Sequence, residues 1–297
     1  MNNFRQLALI GPTASGKTSL AVKVAQKINA QILSLDSLSI YKEIDIVSAK
    51  PNHKERQGVT HYGIDCLFPN EPFDVTTYID LYKSAKKRCQ DEGKNLVIVG
   101  GTSFYLKMLL EGISKRPKLS KEHLHHIAQQ MKDPDKVYKL LKKIDPTYMQ
   151  KIKTKDTYRI QKALEIYLAT NEKPGNYFKN NPPQAVITES LPIYEIIWQR
   201  QRLKERIWLR TEQMLNNGLI DEIIALERKY TRSPNCMKAI GIKETLMYLD
   251  GIYNKKILIE KIVVNTGRLA KRQVTFNNSQ FKNVIKGSLE DLENMLL

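Results

Sequence analysis

Apolar positions in the first third of the chain fall into short runs separated by stretches of helical spacing. Leu7-Ala8-Leu9-Ile10 is a four-residue apolar run ending at a glycine and predicts a buried strand. Leu20, Val24 and Ile28 recur at helical intervals from Lys17 to Asn29. Strands are predicted again at Gln31–Asp36, at Asn95–Val99 just before Gly100-Gly101, and at Ile193–Trp198. Strands that alternate with helices imply an α/β fold, a parallel sheet covered by helices on both faces.

The middle of the chain reads differently. From Ser120 to Ala169 the apolar positions, among them Leu140, Leu141, Ile144, Ile160, Leu164 and Leu168, keep helical spacing, and no strand pattern occurs. This predicts a mostly helical insertion domain over 116–189, set into a core domain made of 1–115 and 190–297. Asn176–Pro192, with Pro182, Pro183 and Pro192, predicts an irregular return to the sheet. Arg200–Asn217 predicts a helix with Leu203, Ile207 and Met214 on one face and Gly218 as its stop.

The chain has 297 residues, 41% hydrophobic and 27% charged, which fits a globular protein with a sizeable core and excludes collagen-like or wholly disordered chains. No apolar run approaches the ~18 residues of a membrane helix. Met1-Asn2-Asn3-Phe4-Arg5 leads straight into the first strand without the apolar stretch of a signal peptide. A cytoplasmic monomer without membrane contact is expected. The three cysteines, Cys66, Cys89 and Cys236, form no CxxC and predict neither a disulfide framework nor a zinc site.

Charge adds a partner. The formal net charge is +17. Lys115–Lys155 carries twelve basic residues against four acids, and Lys255–Lys286 eight against one. Clustering of this kind is the footprint of nucleic-acid phosphates, although a generally lysine-rich proteome also yields basic chains.

The chemistry begins at Gly11-Pro12-Thr13-Ala14-Ser15-Gly16-Lys17-Thr18, which matches GxxxxGK[ST] between a strand and a helix. Glycines let successive N–H groups curl around an anion, and the helix N-terminus adds favourable partial charge. Lys17 can reach an outer phosphate and the Thr18 hydroxyl can ligate Mg²⁺. The loop requires a phosphorylated ligand without naming it. Asp36 ends the second strand, where ligands of open parallel sheets bind. It is a metal ligand, a general base or a helix cap, and its position alone leaves all three open. His123, His125 and His126 lack a suitably spaced further ligand and predict a basic surface helix.

Further stretches follow in order. Asp36-Ser37 with Ile40-Tyr41 and Asp45–Pro51 is similar to a DS…Y…DIGTAKP pattern, and His61–Asp65 to HhliD. Gly100-Gly101-Thr102 with Tyr105 is similar to GGTxxY, and Arg159 with Ala163-Leu164-Glu165 to RxxRALE. Gly241 with Lys243-Glu244 is similar to GYKE, and Ala270-Lys271-Arg272-Gln273 matches AKRQ. From about Leu7 to Phe276 this ordered set resembles the tRNA dimethylallyltransferase (tRNA isopentenyltransferase) family, bacterial type, with a P-loop NTPase-like fold. The chain departs from the family pattern at Ser39, Val47, Ser48, Lys162, Ile242, Phe276 and Asn278.

The resemblance implies transfer of a dimethylallyl group from dimethylallyl diphosphate to N6 of the adenine adjacent to the anticodon in tRNA. The loop would then hold diphosphate as leaving group, with Mg²⁺ on Thr18. Arg210 would supply a further cation, Asp36 the general base, and Thr102 a hold on the attacking amine. RNA contact is implied for Asp36, Ser37, Leu38 and Ser39, for Thr102, and for Tyr158, Arg159, Ile160, Gln161 and Lys162. Lys238, Lys243, Lys271, Arg272 and Gln273 complete that set. The rivals are an adenylate isopentenyltransferase, a small-molecule kinase with ATP in the loop, and an RNA-binding ATPase-like module without transfer chemistry.

Overall fold

The computed structural model describes residues 4–297; Met1–Asn3, the start of the stretch that lacks the apolar run of a signal peptide, lie outside the described residues. Among the described residues six strands form one parallel sheet: β1 Gln6–Ile10, β2 Ala30–Leu35, β3 His61–Tyr62, β4 Asn95–Gly100, β5 Ile193–Ile196 and β6 Ile285–Gly287. Their order is β3-β2-β4-β1-β5-β6. The four strands expected from the apolar runs are present. β3 and β6 are edge strands of two and three residues, too short to show a periodicity.

Register decides where the site lies. Ile10 of β1 is level with Gly100 of β4, and Gly100 is level with Leu35 of β2. The segments that follow, Gly11–Thr18, Gly101-Thr102 and Asp36-Ser37, therefore leave the sheet side by side at its carboxyl edge. Gly100 has to be glycine, because a Cβ there would lie 2.2 Å from the Leu35 carbonyl oxygen. The Thr102 N–H donates to that same oxygen at 3.0 Å.

The strands are buried because apolar side chains line both faces. Leu9, Ile32 and Val97 pack with Leu20 and Val24 of the Lys17–Lys27 helix. A second cluster joins Ile40 and Ile44 to Leu219, Ile223 and Leu258. The helix Arg200–Asn216 packs through Leu203 and Ile207 against Val263 and Ala270 of the long helix Lys255–Gln280. Gly218, the expected stop, also begins the next helix, with φ of 95°.

The chain divides into two compact units, one of residues up to Leu110 together with Ile187–Leu297, the other Glu111–Val186. The chain rejoins the first unit where the Ile187 N–H donates to the Leu109 carbonyl at 2.9 Å. The insertion holds helices Lys121–Gln130, Pro134–Ile144, Pro146–Met149, Thr157–Thr170 and Pro174–Asn180. Its own core consists of Ile127, Val137, Leu141, Met149, Ile160 and Leu164. Asn176–Asn180 is thus helical where an irregular connection is expected, because Pro174 occupies the first helical turn and starts it. No helix of the described residues is long and apolar enough to cross a membrane.

Candidate active site at the carboxyl edge of the sheet

The Gly11–Thr18 loop folds as its composition requires. Gly16 sits at φ of 90° and Ala14 at 63°, the left-handed region, so the loop curls tightly into the Lys17–Lys27 helix. A Cβ on Gly11 would lie 2.9 Å from the Ile196 carbonyl oxygen. The Lys17 side chain is buried; Nζ donates to the Pro12 carbonyl at 2.5 Å and to Ser15 Oγ at 3.2 Å. Burial pushes its pKa down to about 7, the like charge of Arg210 pushes the same way, and Asp36 opposes. Thr18 is exposed at the helix start.

Arg210, on the Arg200–Asn216 helix, reaches the loop, with Nη1 3.5 Å from Thr13 Oγ1. Burial lowers its pKa, Asp36 works against that, and Arg206 adds to it. The structure thus brings Lys17, Arg210 and Asp36 within electrostatic reach of one another, although they lie far apart in sequence. Asp36 is half-buried. Its Oδ1 accepts from the Leu38 N–H at 2.7 Å and the Ser39 N–H at 3.1 Å. One oxygen therefore closes a turn, and no helix starts there for it to cap, while Oδ2 takes no hydrogen bond among the described residues. The Thr102 hydroxyl is likewise unengaged among the described residues.

Two braces of the loop escaped the sequence. Arg206 Nε donates to the Ala14 carbonyl at 2.7 Å, with its guanidinium 4.7 Å from the Trp198 ring centroid. Trp198 Nε1 donates to the Ser15 carbonyl at 3.0 Å. The signal was present: Arg206 and Arg210 are four residues apart and share one helix face.

A family model described as IPP transferase matches residues 39–280. The chain belongs to the IPP transferase family. It is 62% identical to a tRNA dimethylallyltransferase of a Sulfurovum species over 294 residues, 99% of this chain and 98% of that one. Identity to the Sulfurimonas denitrificans protein of the same name is 51% over 292 residues, 98% of each chain. Among solved structures it is similar to the Bacillus halodurans tRNA isopentenylpyrophosphate transferase, with TM-score 0.72 and 28% identity over 99% of this chain and 96% of that one. A eukaryotic dimethylallyltransferase described as acting on tRNA superposes with TM-score 0.82 at 25% identity, over 97% of this chain and 75% of that one. The family segment starts after the phosphate loop and Asp36, which the near full-length relatives cover.

Within this IPP transferase fold the RNA candidates separate by exposure. Ser37, Tyr158, Arg159, Lys238, Lys243, Lys271 and Arg272 are exposed; Leu38, Gln161, Lys162, Thr102 and Gln273 are half-buried. Ser39 is buried. Ile160 is fully buried with Leu141 and Leu164, because it falls on the inward face of the Thr157–Thr170 helix. Gln161 and Lys162 both donate to the buried carboxylate of Glu165, Lys162 at 2.7 and 2.8 Å. Gln273 is held at both ends of its amide by protein backbone: Oε1 accepts from the Thr13 N–H and Nε2 donates to the Gly101 carbonyl.

The remaining motif residues of the family are mostly clasps. Lys50 Nζ bonds the Tyr41 carbonyl at 2.8 Å and pairs with Asp45 and Asp65, tying two motifs together. Glu244 accepts from the Gly241 N–H and from Asn265, both at 2.7 Å. The histidines form a surface helix: His123 caps it with Ser120, while His125 and His126 bond Gln129 and Gln130. Among the described residues no group of three or more His, Cys, Asp or Glu could hold a metal. All three cysteines are free; Cys66 is exposed, and Cys89 and Cys236 are buried.

Proposed function

We propose that this chain is a tRNA dimethylallyltransferase, a cytoplasmic monomer that moves a dimethylallyl group from dimethylallyl diphosphate to N6 of the adenine adjacent to the anticodon and releases diphosphate. The observation that carries this reading is the meeting of two buried basic groups, Lys17 and Arg210, only partly countered by Asp36, with the open Asp36 Oδ2 and the Thr102 hydroxyl, in a chain whose near full-length relatives bear that name.

The residues suit such a reaction. Buried cations with few counter-charges favour a polyanion, and they attract it most when its charge grows. Charge grows on the diphosphate as the allylic C–O bond breaks, so Lys17, Arg210 and the loop N–H groups lower that barrier. An adenine amine is a weak nucleophile. Asp36 Oδ2 takes its proton as the new C–N bond forms, while Oδ1 keeps the carboxylate fixed on its turn. The Thr102 hydroxyl orients the amine. The adenine must leave its stack to arrive there, and the basic surfaces hold the anticodon arm through its phosphates.

The hydroxyl of Thr18, exposed at the start of the Lys17–Lys27 helix beside the loop, is an oxygen donor that suits Mg²⁺ and would hold it together with the oxygens of a bound diphosphate. When bound, the ion supplies added positive charge at the diphosphate.

The test is transfer. Labelled dimethylallyl diphosphate, Mg²⁺ and unmodified tRNA are incubated with the protein, and nucleoside analysis locates the label. Label on N6 beside the anticodon is expected. Label on free adenylate, or phosphate transfer from ATP to a small molecule, would replace this reading with a nucleotide-level transferase or a kinase.

A further inference from the structure

The long helix Lys255–Gln280 carries two amide side chains one turn apart, Gln273 and Asn277, and both are anchored at the carboxyl edge of the sheet. Gln273 Oε1 accepts from the Thr13 N–H at 2.9 Å, and Nε2 donates to the Gly101 carbonyl at 3.0 Å. Asn277 is buried, and its Nδ2 donates at 2.7 Å to Oε1 of Glu195, itself buried in β5. Residues four apart share a helix face. The two amides therefore fix both the height and the rotation of the helix, and Lys271 and Arg272 beside them remain exposed. A Cβ on Gly101 would lie 2.3 Å from Gln273 Nε2, so glycine is what lets the amide reach the carbonyl.

The two backbone groups joined by Gln273 belong to different halves of the reaction. Thr13 lies in the loop assigned to the leaving diphosphate, and its hydroxyl meets Arg210. Gly101 precedes Thr102, assigned to the attacking amine. We infer that Gln273 is a positioning residue whose single carboxamide sets the separation between the diphosphate loop and the Thr102 segment, and that it is not an RNA contact. The inference rests on the transferase reading above. Displacing reacting groups by about 1 Å costs about 10²-fold in rate, so a clasp between the two segments acts on the chemical step and leaves tRNA affinity alone.

Two substitutions break the clasp from opposite sides. Gln273→Met keeps length and bulk but removes both hydrogen bonds. Gly101→Ala leaves Gln273 in place and pushes its amide off the carbonyl. Single-turnover transfer at saturating donor and tRNA, together with tRNA Kd in the same buffer, reads the result. Each variant should lose about 10- to 100-fold in rate with tRNA Kd unchanged. The double variant should be no slower than the slower single one, because the clasp can be broken only once. A Gln273→Met protein that transfers at the wild-type rate overturns the inference. So does one that binds tRNA poorly yet turns over normally at saturation, or a double variant whose losses multiply. If thermal melting shows that Gln273→Met does not fold, Gly101→Ala carries the test through the same two readouts. Wild-type protein without transfer activity would instead sink the transferase reading itself.

Discussion

The carboxyl edge of the sheet and the helical insertion are both basic, and they treat their cations in opposite ways. At the edge, Lys17 and Arg210 are withdrawn from water, which lowers the tendency of both to hold a proton; Arg210 adds to this at Lys17 and Arg206 adds to it at Arg210, with Asp36 as a partial counterweight to both. In the insertion, Arg159 pairs with Asp156 at 2.8 Å and Lys162 with Glu165 at 2.7 Å, while Lys151, Lys153 and Lys155 lie exposed. A buried, poorly neutralised cation is costly unless an anion of defined shape arrives, so it selects a ligand and acts on its charge. An exposed cation is screened by salt and gives affinity without selectivity. On the proposed function, the same residue types would do chemistry in one unit and long-range attraction in the other.

The largest effect that can break this contrast is at Asp36. Asp36→Asn keeps the Oδ1 acceptor for Leu38 and Ser39 and cannot take a proton, so single-turnover transfer should fall about 10²–10⁴-fold with tRNA affinity retained. A fully active Asn variant would leave Asp36 as a turn cap. Next comes Lys17→Ala, which should lower the transfer rate about 10²–10³-fold and weaken inorganic diphosphate binding, measured by calorimetry. Near-normal turnover would detach the loop from the donor.

Ile160→Ala addresses the insertion. A cavity in its core should destabilise that unit by about 2–5 kcal/mol, seen as an earlier unfolding transition. If Ile160 were instead an RNA contact, melting would be unchanged while tRNA affinity dropped. Replacing Lys151, Lys153 and Lys155 together by Ala should flatten the plot of log tRNA affinity against log salt by about one unit for each phosphate no longer neutralised. Diphosphate binding should not change. An unaltered slope would show that these exposed lysines do not touch RNA.

The smallest effect is in proton uptake. With its pKa lowered to about 7, the Lys17 amine is mostly neutral in the free protein at pH 8, and an arriving diphosphate favours its charged form. Binding at pH 8 should therefore take up about one proton and at pH 6 almost none, read as a buffer-dependent heat. Uptake that is flat with pH would mean that Lys17 stays charged before the anion arrives.

Much of this was legible in the residues, for identifiable reasons. The phosphate loop is a local device: strand, glycines, lysine and helix start are contiguous, so its sequence pattern and its geometry coincide. The four longer strands and the insertion helices announced themselves through runs and spacing long enough to carry a period. Edge strands of two or three residues have no period to show. Matching family motifs did not separate substrate contacts from clasps, since Gln273, Glu165 and Glu244 are polar residues in motifs and only their partners reveal what they hold. Ile160 sits in a motif and faces inward, which spacing with Leu164 already hinted.

The α/β class, the phosphate loop, the helical insertion and the basic charge can be read from the order of residues, because each rests on contiguous residues or on simple counting. Tertiary structure alone decided the rest. Strand register brought Asp36, Thr102 and the loop to one edge, burial made Lys17 and Arg210 responsive to an anion, and a helix near the far end of the chain supplied the amide that joins the loop to Gly101. Hydrogen bonds and desolvation act over a few ångströms of space whatever the distance along the chain, and so they leave no spacing in the sequence to be read.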